Sequence, residues 1–282
     1  MFTLIAENER GERLSLTDNP RWDVADVTGT NPAPAAISMK KYASADGSAF
    51  SSVSVQSRNI VITLSLKVPI EENRLILYRF FRTKQRIRLL YTNRHRDVYI
   101  PGYIESVENN PFTQQQLPQI SVVCPDPFWR SAVQEIADFS AVRALFEFPF
   151  SISGTGTEFS VLEHLTSTDI NAGEIETGAV IRMSARGAVE NPRIYNRTTQ
   201  EYFGLTYIMA EGDLITVDTR FGEKSVTVLH GSTEVENILH AKSDGSAWLT
   251  FYPGRNQLDF DADSGAENLS VSVTLTPLFE GV

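Results

Sequence analysis

The residues best placed to do chemistry are three aspartates in the stretch "DFDADSGAE". Asp259, Asp261 and Asp263 stand at every second position, close to the D-x-D-x-D-G order of a calcium loop. Such a loop holds a hard cation with oxygen ligands and wants glycine at its sixth position and glutamate at its twelfth. Ser264 and Ser270 stand there instead, and Gly265 comes one place late. Leu258, Phe260 and Ala262 alternate with the aspartates. In an extended strand the carboxylates would lie about 6–7 Å apart on the wet face. The expectation is therefore a solvated acidic face running into a turn, with no metal. Cys124, the single cysteine, ends an alternating apolar run and is expected to be a buried thiol rather than a nucleophile. His95, His164, His230 and His240 are scattered without partners at zinc-ligand spacing. "GTGTEF" (Gly154 to Phe159) lacks a third glycine and reads as a turn. There is no G-x-S-x-G, no H-E-x-x-H and no P-loop. No catalytic, cofactor-binding or metal residue is expected, and no enzyme.

The remaining anomaly is one of charge. Arg74, Arg79, Arg82, Lys84, Arg86, Arg88, Arg94 and Arg96 follow one another with no acid between them, in a chain of formal net charge -10. The acidic total argues against nucleic acid and against anionic membranes as partners. Three readings stay open for the run: a subunit interface facing acidic surface on an identical copy, a solvated face, and a nucleic-acid patch. The first fits best, because a nucleic-acid patch wants aromatics on an open face. Here the aromatics fall in a segment that reads as buried helix.

That helix and its neighbours must position these groups. "EENRLILYRFFRTK" (Glu71 to Lys84) has an acidic start after Pro69 and a basic end at Arg82 and Lys84. Leu75, Ile76, Leu77, Tyr78, Phe80 and Phe81 exceed one stripe, so burial on more than one side is expected. "NIVITLSLKV" (Asn59 to Val68) alternates as a half-buried strand, with Ile60, Ile62, Leu64 and Leu66 on one face. "RIRLLYT", "VYIPGYIESV" and "QISVVC" follow as strands. Thr28 to Ser52, rich in small residues, Pro and Gly, reads as a long loop or arm. Pro125 and Pro127 stop a strand, and Phe128 and Trp129 can pin the exit against a core, which marks a domain junction. Beyond it come "ALFEFPFSI", "AVIRMSA", "PRIYNR", "YFGLTYI", "DLITVDT", "KSVTVLH", "AWLTFYP", "NQLDFDA" and "LSVSVTLT", separated by turns in the manner of a sandwich or barrel. In "DLITVDT", Asp218 is expected to bind a turn. The 282 residues suit two domains, 1–130 and 131–282. One cysteine excludes an intrachain disulfide, and neither a secretory signal nor a membrane-spanning stretch is read at the start or elsewhere.

The junction "QISVVCPDPFWR" resembles the distal tail proteins of long-tailed phages. "GAVENPRIYNRTTQEYFGL", "EGDLITVDTRFGEKSVTV" and "WLTFYPGRNQLDF", in this order, resemble the C-terminal domain of that siphovirus-type tail component family, over roughly residues 180–276. The resemblance implies a mainly β protein with an N-terminal β-sandwich carrying one helix and a galectin-like C-terminal sandwich. It implies that six copies of the N-terminal domain form a hexameric ring at the tail tip, joining the tail tube to the tail-associated hub protein and to receptor-binding or other baseplate parts. It implies a place in the virion after assembly in the bacterial cytoplasm, and carries no enzymatic site. Two other classes compete. A carbohydrate-binding module would use Trp248 and Tyr252, although Trp248 reads as core; a hydrolase has no motif here.

Overall fold

The computed structural model describes residues 2–44, 46–140, 142–144, 160–162, 171–231 and 234–282. Two compact units divide the chain: Met1–Val133 with Leu278–Val282, and Gln134–Pro277. Each has its own apolar core. No helix among the described residues is long and apolar enough to cross a membrane.

The first unit begins with β1 (Thr3–Asn8), β2 (Arg13–Ser15), β3 (Trp22–Thr28), β4 (Ala35–Lys41), β5 (Ser48–Val55) and β6 (Arg58–Leu66). Helix α1 (Ile70–Phe80) follows, then β7 (Arg86–Thr92), β8 (Asp97–Glu108), β9 (Gln119–Cys124) and β10 (Trp129–Ser131). The main sheet runs β2-β1-β7-β8-β9-β6-β3, every neighbour antiparallel. Alternation dictates its faces as expected: Ile60, Ile62, Leu64 and Leu66 are buried, while Asn59 is exposed and Val61, Thr63 and Ser65 are half-buried. They meet Leu4, Ala6, Leu89, Ile100, Val122, Trp22 and Trp129 in one core.

Two expectations for this unit are corrected. The helix is shorter and less buried than Glu71 to Lys84 with its many apolar positions suggested. It stops when Phe81 leaves helical geometry (φ -94, ψ 78) and turns its ring into the core. Within α1 only Asn73 and Leu77 are buried, and Leu75 is 48% and Tyr78 37% exposed. One stripe of the helix therefore packs on the sheet, and Arg82 and Lys84 lie in the connection to β7. The second correction concerns Thr28 to Ser52. This stretch is not a loop. It holds β4 and runs into β5, which pair from Ala35↔Val55 to Lys41↔Ser48 with a bulge at Ser38/Met39. Small residues between the apolar ones had masked the alternation.

The second unit contains β11 (Glu135–Ser140), β12 (Val142–Ala144), β13 (Ser160–Leu162), β14 (Ala179–Ala185), β15 (Val189–Glu190), β16 (Arg193–Asn196) and β17 (Glu201–Gly204). It continues with β18 (Ile208–Met209), β19 (Leu214–Asp218), β20 (Ser225–His230), β21 (Glu234–Asn237), β22 (Leu258–Asp261) and β23 (Leu269–Leu275). A six-stranded sheet, β11-β23-β14-β19-β20-β21, and a three-stranded sheet, β17-β16-β22, supply the core. Ile181, Met183, Ile215, Val217, Val228 and Val271 come from the first; Ile194, Phe203, Leu258 and Phe260 come from the second. That is a two-layer sandwich. The segment "AWLTFYP", expected as a strand, makes a single bridge, Thr177↔Phe251. Three of its carbonyls are taken by side chains, Leu249 O by Thr219 Oγ1, Thr250 O by Asn196 Nδ2 and Tyr252 O by Asn256 Nδ2, which keeps them from a ladder. Apart from Ala144, "ALFEFPFSI" lies outside the described residues, as do "GTGTEF" and His164.

The chain then returns to the first unit as β24 (Leu278–Phe279). It pairs with β10 (Trp129↔Phe279, Arg130↔Leu278), and β10 pairs with β8 (Arg130↔Tyr99, Ser131↔Val98).

Candidate functional site

The structure does not gather the eight cations of the basic run into one patch. Arg86 opens β7, and Arg94 and Arg96 sit in the turn after it. Six strand residues at about 3.3 Å each separate the two ends by roughly 20 Å. Several members also find partners within the chain. Arg74 pairs with Glu71 at 2.5 Å and lies over the Tyr78 ring. Arg88 stands 3.3 Å from Glu7 and stacks on Tyr99, and Arg96 stacks on Phe279. Arg79, Arg82 and Lys84 do come together. With Arg10, Asn8, Glu9, Glu12, Thr83 and Gln85 they line a cleft of about 480 Å³ between the β1–β2 turn and the end of α1. Arg10, absent from the basic run, comes from another part of the chain and could not be found by spacing.

The β4–β5 hairpin is the other surface that stands out. Ile37 opposes Val53 and Met39 opposes Phe50 across it, and these four are 56–66% exposed. An isolated two-stranded hairpin is at best marginally stable in water, and this one presents an apolar ribbon to solvent.

Its root is held by a residue that sequence reasoning missed. Arg58 is 2% exposed. Its guanidinium donates to Pro127 O at 2.7 Å, Gly29 O at 3.0 Å, Asn31 O at 2.8 Å and to Glu280 O. One buried cation thus ties the entry to the hairpin, the strand exit before β10 and the returning C-terminal segment. Val282 N, donating to Thr30 O, adds to the same junction. The residues read as a domain junction fall inside the first unit. Pro125 and Pro127 follow the end of β9, Phe128 is half-buried, and Trp129 is fully buried in the first core.

The remaining candidates are accounted for by local partners. Asp263 accepts from Asn191 and Arg193, and Asp259 from Arg197 at 2.6 Å. The Asn191 amide, then Arg193, holds the Asp263 carboxyl below its usual range. No three His, Cys, Asp or Glu among the described residues are grouped to hold a metal. Cys124 is fully buried, and desolvation pushes its thiol up to about 12, partly opposed by Arg58. Asp218 binds its turn as expected, accepting from the Arg220 backbone N–H at 3.0 Å. Trp248 is half-buried, with Phe203 at 5.4 Å and the Lys224 ammonium 5.7 Å from its ring centre, so its face is not an open sugar platform. His230 Nδ1 lies 2.9 Å from Asp213, with Nε2 3.7 Å from Glu236. Hydrogen bonding to Asp213, then the Glu236 contact, raises the imidazole above its usual pKa.

The fold is similar to that of SPP1 Dit, described as a paradigm of the hub adsorption apparatus in phages infecting Gram-positive bacteria, with TM-score 0.70, 14% identity, and 98% of this chain and 99% of that chain covered. It is also similar to a chain of the phage P2 baseplate in its activated conformation with Ca (TM-score 0.54, 10% identity, 98% of each chain). The strontium form of that baseplate gives TM-score 0.53 at 10% identity over 97% of this chain and 98% of that one. No curated protein matches the chain. Residues 172–277 match the family model described as siphovirus-type tail component, C-terminal domain. The resemblance read from the motifs holds.

Proposed function

We propose that the chain is a structural hub of a phage or phage-like tail tip. In this reading six copies form a ring that joins the tail tube to the tail-associated hub protein and to receptor-binding or other baseplate parts. The second unit serves as a galectin-like sandwich, no catalytic step or cofactor is involved, and the ring enters the virion after assembly in the bacterial cytoplasm. The observation that carries the reading is the likeness of the whole chain, both units and their connection, to one chain of a phage hub protein. The exposed apolar ribbon of the hairpin supports self-association, because burying Ile37, Met39, Phe50 and Val53 against a neighbour removes apolar area from water at about 25 cal/mol per Å². The test is the particle mass of the purified chain with electron microscopy of the same sample. The expected result is a six-fold ring of six times the 31.4 kDa chain mass. A species of one chain mass at every concentration would overturn the reading.

A further inference from the structure

The cleft between the β1–β2 turn and the end of α1 is lined by polar side chains alone. Its volume of about 480 Å³ falls in the range of small-ligand sites, roughly 300–1,000 Å³. No aromatic or aliphatic side chain lines it, so it offers nothing to a flat ring or a lipid tail. What it offers is charge. Arg10, Arg79, Arg82 and Lys84 line it, and none of them forms an ion pair with a carboxylate among the described residues. Glu9 and Glu12 line it too, and four cations against two carboxylates leave it two charges positive. Both acids are engaged on its walls: Glu9 accepts from the Arg86 backbone N–H at 2.9 Å, and Glu12 from Asn8 Nδ2 at 2.6 Å.

The cations are posed before any ligand arrives. Asn8 Oδ1 accepts from the Arg10 and Glu12 backbone N–H groups, each at 3.0 Å, and so fixes the turn that carries Arg10. Lys84 sits in the left-handed region at φ 71, where a residue with a Cβ is strained. Its backbone N–H donates to Ile104 O at 2.8 Å, and this bond to β8 holds it there. Glycine would make the same turn without strain. Strain of this kind gathers where a side chain is needed in a set place. The helix dipole accounts for Arg79 and Arg82 at the C-terminal end of α1. It accounts neither for Arg10 nor for a lysine in a strained backbone.

The wall also carries an acceptor. Gln85 Oε1 is buried and takes no hydrogen bond, which costs free energy until a donor arrives. An ionised phosphate has oxygens for the cations but nothing to give this amide; a hydroxyl group has. We propose that the cleft binds a polyol phosphate, with the phosphate among Arg10, Arg79, Arg82 and Lys84 and a hydroxyl on Gln85 Oε1. A phosphate monoester brings about two negative charges and three acceptor oxygens in one compact group, which matches the excess of the cleft, whereas a carboxylate brings one charge. Arginine forks grip such oxygens in pairs, and lysine adds a point charge. A free glycerol- or sugar-type phosphate and a polymer built of such units present the same chemistry. The site needs only the first unit and is independent of the ring reading.

The experiment titrates the full chain by calorimetry at low salt with glycerol phosphate and with a synthetic glycerol-phosphate oligomer. Inorganic phosphate, glycerol and tetraglutamate are the controls. The expected result is saturable binding of glycerol phosphate, tighter than inorganic phosphate, that weakens as salt rises above about 0.15 M; glycerol should not bind. An oligomer that binds more tightly per phosphate unit marks the polymer as the source, and equal affinity marks the free ester. Arg79→Gln with Arg82→Gln should weaken binding at least about tenfold, with the circular dichroism of the wild type. Lys84→Gly should also weaken it, while the melting temperature without ligand stays equal or rises, because the strain leaves with the side chain. Amine acylation, digestion and mass spectrometry locate the site: saturating glycerol phosphate should protect Lys84 and leave Lys40 labelled. The proposal is overturned by any of four results: no saturable binding, equal protection of Lys40, a lower melting temperature in Lys84→Gly, or inorganic phosphate or tetraglutamate binding as tightly as glycerol phosphate.

Discussion

At the scale of single residues, Arg58 carries the strongest expectation. Four backbone carbonyls from three separate segments share its guanidinium, and no other residue could replace that fork. Arg58→Met should destabilise the first unit by about 3–5 kcal/mol, since buried acceptors are left without a donor; Arg58→Lys should lose less. Urea unfolding followed by Trp22 and Trp129 fluorescence, in a Trp248→Phe background, reads this out. An unchanged midpoint for Arg58→Met would remove the residue from its assigned place. Cys124 gives a second expectation. A thiol moved from 9.0 to about 12 by burial has its thiolate fraction at neutral pH cut by about a thousandfold. Native protein should resist a disulfide reagent at pH 8, and urea-unfolded protein should react at once. His230 gives a third. Asp213 and Glu236 face it, and its pKa is raised in the folded state. A raised pKa means the stabilisation is fully present below the ordinary histidine value and is lost as pH rises through the higher folded value. The melting temperature of the second unit should therefore fall between about pH 6 and 8, and His230→Asn should flatten that slope.

At the scale of elements, what was legible in the sequence was what short-range alternation encodes. β6, β7, β8 and β9 were read because Ile60, Ile62, Leu64 and their counterparts repeat at period two with the core on one side. β3 was missed because Ala25 and Asp26 separate Val24 from Val27, and a bulge between Val24 and Asp26 shifts the register. β4 and β5 were read as loop because Ala35, Ala36, Ser38 and Ser48 dilute an alternation that buries nothing within the chain. Arg58 was invisible for a different reason. Its partners lie 27 to 222 residues away and are backbone oxygens, which no motif records. The basic run was visible as composition, but its division by β7 and its completion by Arg10 depend on the fold. The hairpin offers a test at this scale. Ile37→Ser, Met39→Ser and Phe50→Ser together should leave the melting temperature of the isolated chain within a few degrees, since none is buried, while abolishing rings in electron micrographs. A large loss of thermal stability would mean that the ribbon supports its own unit.

At the scale of the whole molecule, the second unit is an insertion rather than an appendage. The chain leaves the first unit after β10 and comes back as β24, and those two strands pair with each other. Residues 134–277, ending before β24, should therefore fold by themselves, with the 24-residue core cluster complete. Residues 1–133 should be weaker than the first unit of the full chain, because Phe279, Glu280 and Val282 no longer cover Trp129 and Arg58. Adding a synthetic peptide of residues 276–282 should raise the melting temperature of 1–133, as any ligand of the native state must; no shift at millimolar peptide would show that the returning segment is dispensable. The same return gives the molecule a form of damage tolerance. A protease that cuts once anywhere between 134 and 277 yields two fragments, and each still carries at least one strand of the first sheet. Neither can drift away without unzipping β24 from β10, so the protein would keep its second unit through a nick that would shed a domain hung on a single thread.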